Sequence, residues 1–333
     1  MVVPPVWRCR LLQIWLGGLL LPLLLLVPAA RVAAAPEQAP LGVMVTDLGD
    51  FDVQKKTFGA TFWLWSVTDD ADTSILSSLE FPGALKVETL ESLQEATPAG
   101  VWVQKKVQGT FRHDWDLRRF PFDRQRLVIR LEEADRDATR LLYRPDTRNS
   151  SFHQSLRVPG WRVQSLQLLG GQEEYRSSFG DPRLPPGSPS AYARARVEIT
   201  LQREDRRTFW KLTAGAFAAV AMALASYGLH VDQGPAVSPR FALLAGSMFA
   251  AVISMRSAAT DMGAVAYGTL VDQVHLAALA YILVATFAGV RSWSLHRRGS
   301  DASRIHRLDR RLAGISSLVL GVVILTLIRG AMA

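Results

Sequence analysis

The feature that most constrains this chain is a series of four uncharged apolar segments in its C-terminal part, at 212–229, 241–255, 274–290 and 312–328. With its flanks, each approaches the ~20 residues a helix needs to cross ~30 Å of hydrocarbon. The second is the shortest and the least apolar, with Ala, Gly and Ser spread through it. A helix shielded from lipid by its neighbours tolerates that composition. The third carries His275 near its start.

Charge sorts along the chain in the same way. The net charge is +8 over 333 residues, which alone suggests nucleic acid. Residues 36–206 nevertheless hold 23 basic against 25 acidic side chains, and residues 207–333 hold 12 against 5. Seven arginines fall in the linker 291–311, opposed only by Asp301 and Asp309. Positive charge between apolar spans marks the cytoplasmic side, so no nucleic-acid partner is expected.

Residues 1–34 read as a secretory signal: Arg8 and Arg10, then an apolar run, then the small residues up to Ala34. An uncleaved anchor helix is the alternative. Cys9, the one cysteine, lies inside this segment, so the cleaved chain has no disulfide and no thiolate metal site. A cleaved signal puts residues 35–206 outside the cell membrane. Four spans then return the Arg-rich linker to the inside and the C-terminus to the periplasmic or extracellular side. Signal and charge bias agree on this multi-pass, inner-membrane topology.

Residues 35–206 read as all-β. Alternating segments at 57–67, 101–111, 127–131, 161–168 and 193–201 are separated by turn chemistry, including Pro82-Gly83, Pro98-Ala99-Gly100 and Gly170-Gly171. The expected fold class is an extracellular immunoglobulin-like sandwich followed by an all-α four-helix transmembrane domain over 207–333. No phosphate loop, His-Glu-x-x-His or nucleophile elbow occurs. No enzyme activity, metal or cofactor is expected.

Residues 111–131 contain the sequence Phe120-Pro121-Phe122-Asp123-x-Gln125. It resembles the signature loop of the pentameric ligand-gated ion channels, the Cys-loop receptor superfamily. The two cysteines that bracket the loop in animal members are replaced by His113 and Leu127, as bacterial members allow. Further anchors keep the family's order: Trp63 eleven residues after Asp52, Gln202-Arg203, Tyr192 eleven residues before Arg203, and Tyr267-x-Thr269-x-x-Asp272. The resemblance covers about residues 40–333.

The resemblance implies roles for particular residues. Phe120, Pro121, Phe122, Asp123, Arg203 and Tyr267 would couple the two domains, with Asp123 pairing Arg203; a plain stabilising turn and salt bridge is the alternative. Tyr192 falls on a ligand-site position and Trp63 on the complementary face, with Tyr175 and Phe179 as further contacts; core or hairpin packing is the alternative for all four. Two other principal-face positions fall near Val87 and Ala134, neither aromatic, so an amine agonist is not supported. Taking Arg240 as the base of the pore helix, the stripe Ala242, Gly246, Phe249, Ile253, Arg256 and Thr260 would face the lumen. Helix packing is the alternative for its apolar members. Asp272 would act at membrane depth or cap a helix. Tyr267 and Asp261 would lie in the outer linker.

The expected function is a homopentameric channel-like receptor in a lipid bilayer, gated by an unknown small molecule or by protons. Selectivity leans to anions, or to no conduction, because no acid lies near the inner end of the pore helix and Arg256 would add an outer positive ring. The alternative is a non-conducting sensor or scaffold with the same fold.

Overall fold

The computed structural model describes residues 35–69, 74–231, 237–262 and 267–332. The signal-peptide reading of 1–34 lies outside the described residues. Ten strands come first: β1 (Glu37–Asp52), β2 (Thr57–Thr68), β3 (Leu79–Glu80), β4 (Ala84–Thr97), β5 (Gly100–Arg112), β6 (Arg124–Asp137), β7 (Leu141–Pro145), β8 (Ser151–Phe152), β9 (Trp161–Tyr175) and β10 (Ser190–Arg203). Four helices follow: α1 (Arg207–Ala225), α2 (Val237–Met262), α3 (Leu270–Arg297) and α4 (Ala302–Met332), with a 3-10 turn at Ser226–Gly228 after α1.

The strands form two sheets. One runs β4-β5-β2-β1-β7, with β8 also on β1; the other runs β3-β6-β10-β9. Period-2 burial explains why they pack. Leu127, Ile129 and Leu131 of β6 and Ala195, Val197, Ile199 and Leu201 of β10 are fully buried, while alternate residues face outward. Phe58, Phe62 and Leu64 of β2 enter the same core. Each such side chain contributes roughly 1.5–3 kcal/mol by leaving water. The two sheets thus share one apolar core, as in a β-sandwich.

β4 had no counterpart in the alternation pattern. It is an edge strand exposed along most of its length, with Leu85 and Leu93 about half exposed. Without a buried face it shows no inward period.

Gly170-Gly171 does not form a turn. Both lie inside β9, and the chain reverses in the loop 176–189 instead. A Cβ on Gly170 would stand 2.9 Å from the carbonyl oxygen of Tyr143 and 3.0 Å from the Pro145 ring. The glycine is there because β7 passes too close for a side chain. At Gly100, by contrast, the φ of +119° places a true turn glycine between β4 and β5.

All four helices are long and apolar enough to cross a membrane. α1 packs through a face of small residues, with Thr213, Ala216, Ala219 and Ala223 buried. α3 is the most enclosed, whereas α4 buries only Ile305, Asp309 and Ala331 and turns Ile315, Leu318 and Val322 outward. The Arg-rich stretch 291–311 is mostly helix rather than linker: α3 runs to Arg297 and α4 starts at Ala302. Arginine has high helix propensity, so apolar runs understate where these helices end.

Gly170→Ala is expected to destabilise the protein by about 1–3 kcal/mol, because the strand contact cannot open without shifting the backbone. Gly171→Ala, whose added carbon would lie 3.9 Å from the nearest neighbour, is expected to be close to neutral. Thermal unfolding of the two purified variants in detergent distinguishes them.

Candidate functional site

The segment between β5 and β6 joins the sandwich to the helices. Its geometry starts from the Phe120–Pro121 bond, which is cis. Phe120 packs against the cluster of Ala258 and Val271, from α2 and α3, which Leu212 of α1 also joins. Phe122 joins Phe209, Leu270 and Val274, its ring 5.7 Å from that of Phe209. The two phenylalanines thus anchor the loop in two separate apolar pockets of the bundle.

Asp123 sits between those anchors and the sandwich, and is 2% exposed. Arg203 Nε donates to its Oδ1 at 2.7 Å, and Arg203 Nη2 approaches Oδ2 at 3.3 Å. Gln125 Nε2 donates to Oδ2 at 2.7 Å, and the Arg203 backbone N–H donates to the Asp123 carbonyl at 3.2 Å. The guanidinium carbon lies 4.0 Å from the Trp161 ring centre and 4.7 Å from that of Phe120. Opposite charge, hydrogen bonds and two ring faces together replace the water that both ions lost.

Tyr267 closes the junction from the helix side. Its hydroxyl accepts from the Leu117 backbone N–H and donates to the Trp115 carbonyl, both at 2.9 Å. The Leu270 N–H donates to the Arg118 carbonyl at 3.0 Å. Asp272 resolves to its capping alternative: it accepts from the Thr269 backbone N–H, and Thr269 Oγ1 accepts from its own N–H. Asp261 belongs to the last turn of α2 rather than to a linker, its side chain outside the described residues.

His113 extends the network upward. Gln125 Oε1 accepts from the Asp116 N–H at 3.2 Å and, since an amide oxygen can only accept, also from His113 Nε2 at 3.2 Å. Burial pushes His113 below its ordinary pKa, against the opposing bond to Gln125. A chain of hydrogen bonds therefore runs His113–Gln125–Asp123–Arg203. No spacing rule picks out His113 or Gln125 as partners, because the loop's reversal is what brings them together.

Three of the four expected ligand-site aromatics meet. Tyr175, Phe179 and Tyr192 form a trio with ring centres 5.2–6.1 Å apart, all edge-on. Phe179 is 62% exposed, in the loop between β9 and β10. Beneath the trio, Tyr175 donates to Glu132 Oε1 at 2.5 Å, and Arg194 Nε donates to Glu132 Oε2 at 2.5 Å. Arg194 also reaches Glu173 at 2.7 Å. Burial, then the bond to Glu132, holds the Tyr175 phenol above its usual range. Glu132 and Arg194 went unnoticed in the sequence because only the β6–β10 register makes them neighbours. Two carboxylates, Glu132 and Glu173, thus share the one guanidinium of Arg194 beneath the ring faces and edges of the trio.

Trp63 stands apart, half-buried on β2 in the other sheet, with Lys106 Nζ 5.4 Å from its ring centre. Val87 packs against the sandwich core, and the Ala134 N–H donates to the Ser78 carbonyl. Neither adds an aromatic to the trio.

Along α2, Ala242, Gly246, Phe249, Ile253, Arg256 and Thr260 all lie on an exposed face, with Phe249 70% exposed. Leu244, Ser247, Ala251 and Ala258 form the buried face. Arg240 departs from the expected arrangement. It is fully buried, and its Nη1 donates to Asp309 Oδ2 at 2.8 Å while Ser292 donates to Asp309 Oδ1 at 2.7 Å. A cation in low dielectric takes the nearest anion, which α4 supplies.

No family model matches the chain, and no curated protein matches it.

Arg203→Ala is expected to cost about 3–5 kcal/mol, because Asp123 stays buried without its counter-ion. Asp123→Asn with Arg203→Ala together should cost less than the sum of the two single changes, as read by denaturation in a double-mutant cycle. A second expectation concerns pH. The unfolded chain takes up the His113 proton before the folded one does. The stabilisation is therefore complete above about pH 6.5 and lost as pH falls through the lower folded-state value. His113→Gln should flatten that part of the melting-temperature profile between about pH 7 and pH 5.

Proposed function

We propose that this protein is a channel-like membrane receptor, working as a homopentamer, in which the β-sandwich senses a small molecule or protons and α2 lines a gated ion path. The observation that carries the reading is the loop at Asp123. It is fastened to the sandwich through Arg203 and Gln125, and to the helix bundle through Phe120 and Phe122. A shift in the β6–β10 pair has a direct mechanical route to the helices there.

In this reading the exposed face of α2 turns to the fivefold axis. Five copies of Phe249 and Ile253 form two apolar rings, a constriction that stops ions by dewetting. Arg256 adds a positive ring and favours anions. Arg240 contributes nothing to selectivity, since its charge is spent on Asp309. The Tyr175–Phe179–Tyr192 trio meets the Trp63 face of a neighbouring protomer and encloses the ligand between subunits. The β domain lies outside the cell membrane and the turn between α3 and α4 inside. With Val87 and Ala134 in place of aromatics, the trio does not close a cage around an amine.

A second reading, a non-conducting sensor or scaffold, is favoured by the lower stripe. Ala242 and Gly246 bring no hydroxyl to replace ion hydration. Purified protein in liposomes, with anion- and cation-sensitive dyes across pH and a ligand panel, decides between the two. The channel reading expects anion flux that Phe249→Ala increases and Arg256→Gln shifts towards cations. Silence from a verified pentamer under all conditions would leave the scaffold. Arg203→Ala in protein that remains folded should retain ligand binding and lose gating; gating like the parent's would refute the coupling role.

A further inference from the structure

The sandwich is slightly acidic overall, yet one groove in it is strongly basic. It opens beside the coupling loop, with a cavity of about 760 Å³ walled by Lys55, Lys56, Arg112, Arg126, Arg130 and His113. Lys55 and Lys56 come from the β1–β2 turn, Arg112 from the end of β5, and Arg126 and Arg130 from one face of β6. Three sequence-distant segments thus bring five full positive charges together, against Asp114 as the one acid in the wall.

The local ion pairs do not neutralise them. Lys56 meets Asp114 at 2.8 Å, but both side chains are largely solvated, so the pair is weak and yields readily. Lys55 reaches Asp52 at 3.1 Å and Arg126 reaches Glu198 at 3.6 Å, each with an exposed cation. Arg112 and Arg130 make no ion pair among the described residues. Like charges gathered this closely repel one another, and an anion bound among them removes that cost.

We propose that this groove is a binding site for a multiply charged phosphate group, either a free polyphosphate or the headgroup of an anionic lipid. Two arginine forks with no competing acid suit tetrahedral oxyanions, which they hold through paired hydrogen bonds. A single carboxylate would leave most of the charge unmatched. The remaining wall is aliphatic, from Leu85 and Val128, and presents no indole or phenyl face on which a nucleobase would stack. Position adds a consequence. His113 in the wall is joined through Gln125 to Asp123 and Arg203, so an occupant sits at one end of the hydrogen-bond chain that ends in the junction. The site itself stands on this groove alone and does not depend on ion conduction.

The test is calorimetry on the full-length protein in neutral detergent, titrated with sodium tripolyphosphate at low and high salt. Saturable binding is expected, weakened about tenfold or more in Arg112→Gln with Arg130→Gln, since each lost fork removes charge-assisted bonds. Arg144→Gln with Arg148→Gln makes the same change in net charge elsewhere on the sandwich and should leave binding intact. A parallel arm measures, by mass spectrometry, phosphatidic acid, whose phosphomonoester headgroup can carry two charges, retained from mixed nanodiscs by the parent and by the same two double variants. Tripolyphosphate binding sensitive to the groove pair assigns the free anion. Groove-dependent lipid retention without it assigns the headgroup. Equal effects of the two pairs, or no saturable binding in either arm, overturn the site. Both arms read binding and not flux, so a channel that proves silent leaves this result untouched.

Discussion

The Asp123–Arg203 pair is the constraint around which the two halves are organised. Arg203 is the last residue of β10, four positions before α1 begins, and Asp123 directly precedes β6. One buried ion pair therefore fixes where the sandwich stops and where the first helix leaves it. Taking both charges out of water is expensive, and breaking the pair costs more than replacing it. The surroundings offset that penalty with Gln125, a backbone hydrogen bond and two aromatic faces.

A second buried pair fixes the other end of the bundle. Arg240 and Asp309 tie the start of α2 to α4, with Ser292 of α3 bonded to the same carboxylate. Arg240 Nε has no hydrogen-bond partner among the described residues, and its guanidinium carbon lies 5.6 Å from the centre of the Tyr227 ring. Three helices thus converge on one carboxylate. Between the two pairs, the helices touch mostly through small residues and the bond between Ser254 and the buried His275. Gly215 is needed there, since a Cβ would come within 2.6 Å of Ser254 Oγ.

Much of this was legible beforehand, for identifiable reasons. The five alternating segments all became strands, because a strand with one buried face writes a period of two into its sequence. The four apolar runs all became helices, because lipid permits few alternatives. β4 was missed because it buries no face. Gly170 was misread as a turn because a glycine demanded by a close neighbour looks the same in sequence as one demanded by backbone conformation. The Asp123 loop was visible through its Phe-Pro-Phe-Asp chemistry. Glu132, Arg194 and the His113–Gln125 link were not, since each depends on which residues two folded segments bring together.

The sequence by itself determined the division into a β region and four membrane-length helices, and which face of α2 has the helical spacing of a stripe. These follow from hydrophobic periodicity, which is local and needs no partner to be read. Only the tertiary structure decided where the charges go. Arg240 and Arg256 lie on the same helix and look alike in the sequence, yet one is sealed against Asp309 and the other is exposed. A charge near the membrane is stabilised by its nearest counter-charge or by water, and which of the two it meets is settled by the packing of helices distant in the chain.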